Sequence, residues 1–152
     1  MVGNLFDARL HDQGGCSFRL SNKGPTGVPA SQTSNRAELT AVIQAIKFRV
    51  WYGEGCQHLV IATDSTYVVD GSAEWVHGWV RNGWKTSSGQ AVKNRDLWET
   101  LLETLAEKAK NGLKVSFWRI PRELNAAADR MAKEGAAKPE QEIYMEIMGA
   151  AC

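Results

Sequence analysis

His58-Leu-Val-Ile-Ala-Thr-Asp64-Ser65 decides the reading of this chain. Leu59, Val60, Ile61, Ala62 and Thr63 form a short apolar run rich in β-branched residues. A glycine lies ahead of it and Asp64-Ser65 ends it, so it reads as a buried strand. Asp64 then stands where the strand stops. In α/β folds, ligand sites lie beyond the carboxyl ends of strands. A carboxylate there either caps the following turn or belongs to a site.

Working outward, helical patterns flank this strand on both sides. Towards the N-terminus, residues 15–21 read as a short strand, and residues 23–34, with Gly24, Pro25, Gly27 and Pro29, as a loop. Asn35 starts a helix whose buried stripe is Leu39, Val42, Ile43 and Ile46, closed by Gly53 and Gly55. Towards the C-terminus, residues 65–70 read as one helical turn and 72–81 as a second helix. Residues 92–110 form a strong amphipathic helix with Trp98, Leu101, Leu102 and Leu105 on one side, stopped by Asn111-Gly112. Residues 113–120 are a strand. Pro121 then opens a helix to about Ala137, with Leu124, Ala127, Ala128 and Met131 facing inward. The tail from Lys138 to Cys152 ends in one more helical turn. Strands alternating with helices predict an α/β layered domain with helices packed on a partly parallel sheet.

Bulk properties agree with one ordinary domain spanning 1–152. The chain has 152 residues, 43% hydrophobic and 23% charged. A net charge of +1 excludes a globally basic nucleic-acid binder, so any basic surface is local. The three cysteines, Cys16, Cys56 and Cys152, match neither a disulfide framework nor a zinc motif. They read as reduced thiols of an intracellular protein, nuclear or cytoplasmic. The first ten residues lack the apolar core of a signal peptide, and no stretch approaches the ~20 apolar residues of a membrane span.

Three acidic residues carry the candidate chemistry. Glu38 lies near a helix start, Asp64 at the strand end and Asp129 inside the last helix. One strand tip and two helices can converge on a point, and hard carboxylate oxygens gathered there bind Mg²⁺ or Mn²⁺. Each also has a bland reading. Asn35 as N-cap with Glu38 at the third helical position makes a capping box. Asp64 can cap the next turn, and Asp129 can be a solvated helix residue. Asn125 sits four residues before Asp129, on the same face.

The words around these residues narrow the choice. Ser34-Asn-Arg-Ala-Glu38-Leu-Thr-Ala-Val-Ile-Gln-Ala-Ile46, Ala62-Thr-Asp64-Ser-Thr-Tyr67 and Trp75-Val-His-Gly-Trp79-Val-Arg81-Asn-Gly-Trp84-Lys85-Thr86 occur in order. Val92-Lys-Asn94-Arg-Asp-Leu-Trp98 and Asn125-Ala-Ala-Ala-Asp129 follow. Together they resemble the type 1 ribonuclease H family, from about Thr33 to Ala137. The resemblance implies an α/β ribonuclease H-like fold, a mixed β-sheet with helices on its faces. It also implies hydrolysis of the RNA strand of RNA/DNA hybrids by a two-metal mechanism, with Mg²⁺, or Mn²⁺, held by Glu38, Asp64 and Asp129. Products carry 5′-phosphate and 3′-hydroxyl ends, and Glu38 also faces a ribose 2′-hydroxyl.

The resemblance further implies nucleic-acid contacts at Thr33, Asn35, Trp75, Trp79, Lys85 and Asn94. No acidic residue lies between Trp75 and Asn94, while Arg81, Lys85 and Lys93 do. A basic stretch laced with tryptophan suits phosphates and sugars. It also weighs against a resolvase or integrase of the same superfamily. The alternative for Trp75 and Trp79, i and i+4 neighbours, is a shared core face. Tyr67 flanks the same channel or belongs to the core.

Two departures from the family pattern stand out. The family opens with a strand ending in Asp-Gly, whose Asp is the central metal ligand. Here only 37 residues precede Glu38. The expectation is that the first strands are shortened or missing, the N-terminus being divergent or truncated, with Asp7, or more weakly Asp12, as the stand-in ligand. Without it, two closely spaced dications lack a bridging charge. That favours the alternative of an inactive domain that binds nucleic acid or a protein partner. Lost strands also leave an exposed sheet edge through which two copies can pair. The second departure is Arg119-Ile-Pro-Arg-Glu-Leu-Asn125, a wording shared with fungal members, where the family often carries a His-bearing loop. His11, His58 and His77 all lie elsewhere.

Overall fold

The computed structural model describes residues 5–6 and 15–147. Asp7 and Asp12 therefore fall outside the described residues, as does the end of the tail. Two short strands, β1 (Leu5–Phe6) and β2 (Gly15–Cys16), pair antiparallel. The strand expected over 15–21 is thus two residues long, and the chain from Ser17 runs on without strand pairing.

Helix α1 (Ser34–Lys47) begins one residue before the expected start. Its N-cap is Thr33, whose Oγ1 accepts from the Arg36 N–H at 3.4 Å. That corrects the capping box: Asn35 lies inside the helix, and Glu38 is its fifth residue, too far along to reach back to the cap. The helix ends at Lys47, ahead of the glycines, and turns over 51–55 follow.

Strand β3 (His58–Thr63) pairs in parallel with β4 (Lys114–Arg119), register Thr63↔Arg119 at the site end. Alternation gives this sheet two unlike faces. Leu59, Ile61, Val115 and Phe117 pack against the core, whereas Val60 and Trp118 are largely exposed on the opposite face.

After β3 come α2 (Thr66–Asp70), a π-helical turn (Gly71–Trp75) and α3 (Val76–Arg81). Helix α4 (Arg95–Lys110) starts later than the pattern predicts because Asn94 is left-handed, φ 58°. Helices α1 and α4 pack together. Leu39, Val42, Ile43 and Ile46 meet Leu97, Trp98 and Leu101, with Val68 and Val76 closing the core. Each such side chain contributes roughly 1.5–3 kcal/mol by leaving water. Gly71 permits the closest approach: a Cβ there would come within 2.2 Å of the Trp98 ring.

Pro121, at ψ 147°, precedes a 3₁₀ turn (Arg122–Asn125) instead of opening the α-helix. Helix α5 (Ala126–Ala136) follows. The expected inward face is corrected as well: Leu124 and Ala127 are exposed, Ala128 and Met131 half-buried, and Gly135 is the fully buried residue. Gly135 seats on the Phe18 backbone, where a Cβ would meet the carbonyl oxygen at 2.5 Å. The tail over 138–147 forms no helix but straps back onto α1. There Gln44, 1% exposed, donates to Met145 O at 3.0 Å and accepts from the Ile147 N–H at 2.8 Å. No helix among the described residues is long and apolar enough to cross a membrane.

Candidate active site

Asp64 follows the last residue of β3, and its neighbour settles what it does not do. Ser65 is the N-cap of α2, its Oγ accepting from the Val68 N–H at 3.2 Å. Asp64 is therefore free of capping. Its Oδ1 accepts from Asn125 Nδ2 at 2.7 Å. The spacing of Asn125 pairs it with Asp129, and the structure makes it a direct partner of Asp64.

Glu38, half-buried on α1, accepts a hydrogen bond from Ser65 Oγ. One hydroxyl thus joins α1 to the tip of β3. Burial pushes the Glu38 carboxyl above its ordinary value, and the Asp64 charge pushes the same way; the Ser65 hydrogen bond and Arg122 oppose them. Two carboxylates from distant parts of the sequence therefore feel each other.

Asp129, on the first turn of α5, points at cations: Lys133 Nζ at 2.8 Å and Arg122 at 3.7 Å. The Lys133 hydrogen bond holds its carboxyl below the ordinary value, with both positive charges adding. Glu38 and Asp64 are brought together; Asp129 joins them through Arg122, whose charge also reaches Glu38.

Among the described residues no three His, Cys, Asp or Glu gather closely enough to hold a metal ion. The donor chemistry still fits one hard divalent cation at Glu38 and Asp64. Both offer carboxylate oxygens, and a cation relieves the burial and repulsion that raise Glu38. A second ion needs carboxylates beyond this pair.

Beside the acidic cleft, Arg36 draws two helix N-termini together. Its guanidinium forks onto Asp96 at 2.9 and 2.7 Å and donates to Asn94 Oδ1 at 3.3 Å. Burial alone would raise Asp96, but the hydrogen bonds and charge of Arg36 outweigh it and leave the carboxyl below its ordinary value. Asn94 Nδ2 donates to the Tyr67 hydroxyl at 3.1 Å, and Trp98 Nε1 donates to the same oxygen at 2.9 Å. Thr33 and Asn35 at the start of α1 and Asn94 at the start of α4 thus flank one place where two helix dipoles favour an anion.

The tryptophans continue from there. Ring centroids lie 6.0 Å apart for Tyr67–Trp75, 5.9 Å for Trp75–Trp79 and 5.6 Å for Trp79–Trp98. Trp98 is fully buried and Trp75 is 38% exposed, so the ladder runs from core to solvent, and Trp75 shares the packed face while keeping an accessible edge. Beyond it, Lys85 bridges Ala91 and is braced by Asn82 through bonds of 3.1 and 2.8 Å, an exposed lysine on a tied loop.

Residues 9–137 match the family model described as RNase H. The chain belongs to the ribonuclease H family. It is 42% identical over 112 residues to the ribonuclease H of Neisseria meningitidis, covering 74% of each chain. It is 39% identical over 116 residues to that of Treponema pallidum, covering 76% of this chain and 67% of the other. Among solved structures, LC9-RNase H1, a type 1 RNase H with the type 2 active-site motif, superposes with a TM-score of 0.55 at 33% identity. That match covers 72% of this chain and 50% of the other. A foamy viral protease-reverse transcriptase in complex with RNA/DNA hybrid shares the fold, with a TM-score of 0.54, 24% identity and cover of 72% and 15%. The ribonuclease H-like α/β fold read from the motifs is the fold observed.

Proposed function

We propose that the protein hydrolyses the RNA strand of RNA/DNA hybrids with the help of Mg²⁺ or Mn²⁺. The observation that carries this reading is the Glu38–Ser65–Asp64 junction. Neither carboxylate is used in capping, and the Ser65 hydroxyl ties Glu38 to the strand end that carries Asp64, whose charge Glu38 feels. Family membership supplies the substrate class. When bound, divalent ions activate the attacking water and stabilise the leaving oxygen.

The chain's own residues do the rest. Glu38 and Asp64 offer the cation its oxygens. Ser65 and Asn125 fix the orientation of these carboxylates by donating to them, which spares their reorganisation. Asp129 is the third carboxylate and joins on release from Lys133. Thr33, Asn35 and Asn94 hold a DNA phosphate at the paired helix N-termini, while Trp75, Trp79 and Lys85 support the DNA strand.

The second reading is a domain that grips the hybrid without cutting it. The ion pairs on Asp129 and the lack of a three-carboxylate cluster among the described residues favour it. Cleavage of an end-labelled hybrid with Mg²⁺ or Mn²⁺, beside identically purified Asp64→Asn, separates the two. RNA-strand cutting by the parent alone supports the nuclease. Binding without cutting supports the second reading, and neither binding nor cutting removes both.

A further inference from the structure

The loop between β4 and α5 lines the cleft at Asp64. The lining residues are Asp64, Arg119, Ile120, Pro121 and Arg122. Two arginines three positions apart therefore stand at the mouth of a cleft whose floor is acidic.

Backbone bonding fixes this loop. Arg119 pairs in register with Thr63, the residue before Asp64. The Ile120 N–H donates to the Thr63 carbonyl at 2.9 Å, and the Leu124 N–H to the Pro121 carbonyl at 3.0 Å. Pro121 adds a fixed φ of −59° between them. Both arginine backbones are thus anchored beside Asp64, while the side chains stay adjustable.

Among the described residues neither guanidinium makes a close hydrogen bond. Arg119 is exposed and pairs with no described residue. Arg122 has a side chain 79% exposed and rests on Asp129 at 3.7 Å, an ion pair beyond hydrogen-bonding distance. An exposed ion pair of that kind is weak and easily exchanged. Asp129 keeps Lys133 at 2.8 Å when Arg122 leaves, so the exchange strands no charge. A structural role would show burial or close bonds, and Arg36, forked onto Asp96 within 3 Å, shows what that looks like in this chain.

We propose that Arg119 and Arg122 form a phosphate clamp at the mouth of the Asp64 cleft, gripping backbone phosphates of the strand that enters it. This deepens the reading of the protein as a hybrid ribonuclease and rests on it. The chemistry of recognition is a phosphodiester met by planar guanidinium forks, which offer paired donors to its free oxygens. Arg122 swings from Asp129 to the substrate, and Arg119 needs no release. The loop thereby supplies positive charge beside Asp64. The clamp acts on position and grip, and no proton transfer is required of it.

The test uses the full chain and a fluorescent RNA/DNA hybrid, titrated without added metal over a range of salt. Arg119→Ala, Arg122→Ala and the double variant are compared with the parent, and Arg130→Ala, an exposed arginine on α5, serves as a charge control. Each clamp variant is expected to lower the slope of log affinity against log salt by about one unit, and the double variant by about two. Affinity at ~0.1 M salt falls about tenfold for each arginine removed, and Arg122→Lys recovers the slope. Melting temperatures stay those of the parent, because both side chains are solvent-exposed. A parent that binds the hybrid while the double variant keeps its slope overturns the clamp alone. Equal losses in Arg130→Ala also overturn it, because the effect is then general charge. A parent that shows no hybrid binding removes the functional reading itself.

Discussion

Around Trp98 the polar atoms are tied and the surface is buried: Arg36 forks onto Asp96, Asn94 spends both ends of its amide, and Tyr67 receives two donors. Around Asp64 the arrangement differs. One hydroxyl and one amide hold two carboxylates, a third sits on partly exposed ion pairs, and two exposed arginines stand at the cleft. The contrast teaches that the aromatic face and the acidic cleft are built from different forces in this molecule: packing and tied hydrogen bonds in one, charge in the other. The aromatic face grows directly out of the core, with Trp79 packed between the buried Trp98 and the part-exposed Trp75. The acidic cleft holds two carboxylates that repel one another, which favours a cation between them. Removing a residue from the first region should therefore cost stability, and from the second activity.

The largest expected effect is on the gripping side. Trp98→Ala should destabilise the protein by about 3–5 kcal/mol, since a fully buried indole and its hydrogen bond are lost together. Urea unfolding measures it, and a loss below about 1 kcal/mol would break the claim that this face is core. Asp64→Asn is the mirror experiment. Hybrid cleavage should fall at least about a hundredfold, beyond what outer partners of metal ligands usually cost, with the melting temperature near that of the parent. A large drop in melting temperature would mean that Asp64 is structural after all.

Arg36→Ala comes next, at roughly 3 kcal/mol, because it leaves Asp96 largely buried without its partner. It should also weaken hybrid binding by loosening Thr33 and Asn94. Destabilisation with intact binding would separate the ion pair from the grip.

The smallest effect is the pH response of Glu38. Its folded carboxyl titrates above the ordinary value of 4.5, so the folded state takes up a proton before the unfolded state does. Stability is therefore reduced above the folded value and recovers as pH falls towards 4.5. Glu38→Gln keeps the acceptor for Ser65, removes the repulsion from Asp64, and should be slightly more stable at neutral pH with this response gone. Adding Mg²⁺ should stabilise the parent by relieving the same repulsion, and should leave Asp64→Asn unchanged. Identical pH profiles for parent and Glu38→Gln would show that the two carboxylates do not interact.

Periodicity made the core legible. Leu39, Val42, Ile43, Ile46, Trp98 and Leu101 are buried as their spacing predicts, because a helix pattern and its buried face are one fact. Helix ends were less legible, since several residues compete to cap. Thr33 and Ser65 took the caps expected of Asn35 and Asp64, and the acids were thereby left for other work. The inward face of α5 was legible only at Ala128 and Met131, because periodicity says which residues share a face and not how deeply each is covered. Asn125 and Ser65 as partners of the carboxylates, and Arg122 as the cation between Asp129 and Glu38, depend on approaches across 27, 61 and more positions of sequence.

By itself the sequence determined the strand ending in Asp64, the two amphipathic helices that pack as α1 and α4, and the family, because local patterning and ordered motifs need no knowledge of distant neighbours. Only the tertiary structure decided which side chains meet: that Ser65 donates to Glu38 and Asn125 to Asp64, that Asp129 rests on Lys133, and that Arg119 and Arg122 face the cleft. The physical reason is that charge and hydrogen bonding act over a few ångström in space, and separation along the chain does not fix that distance.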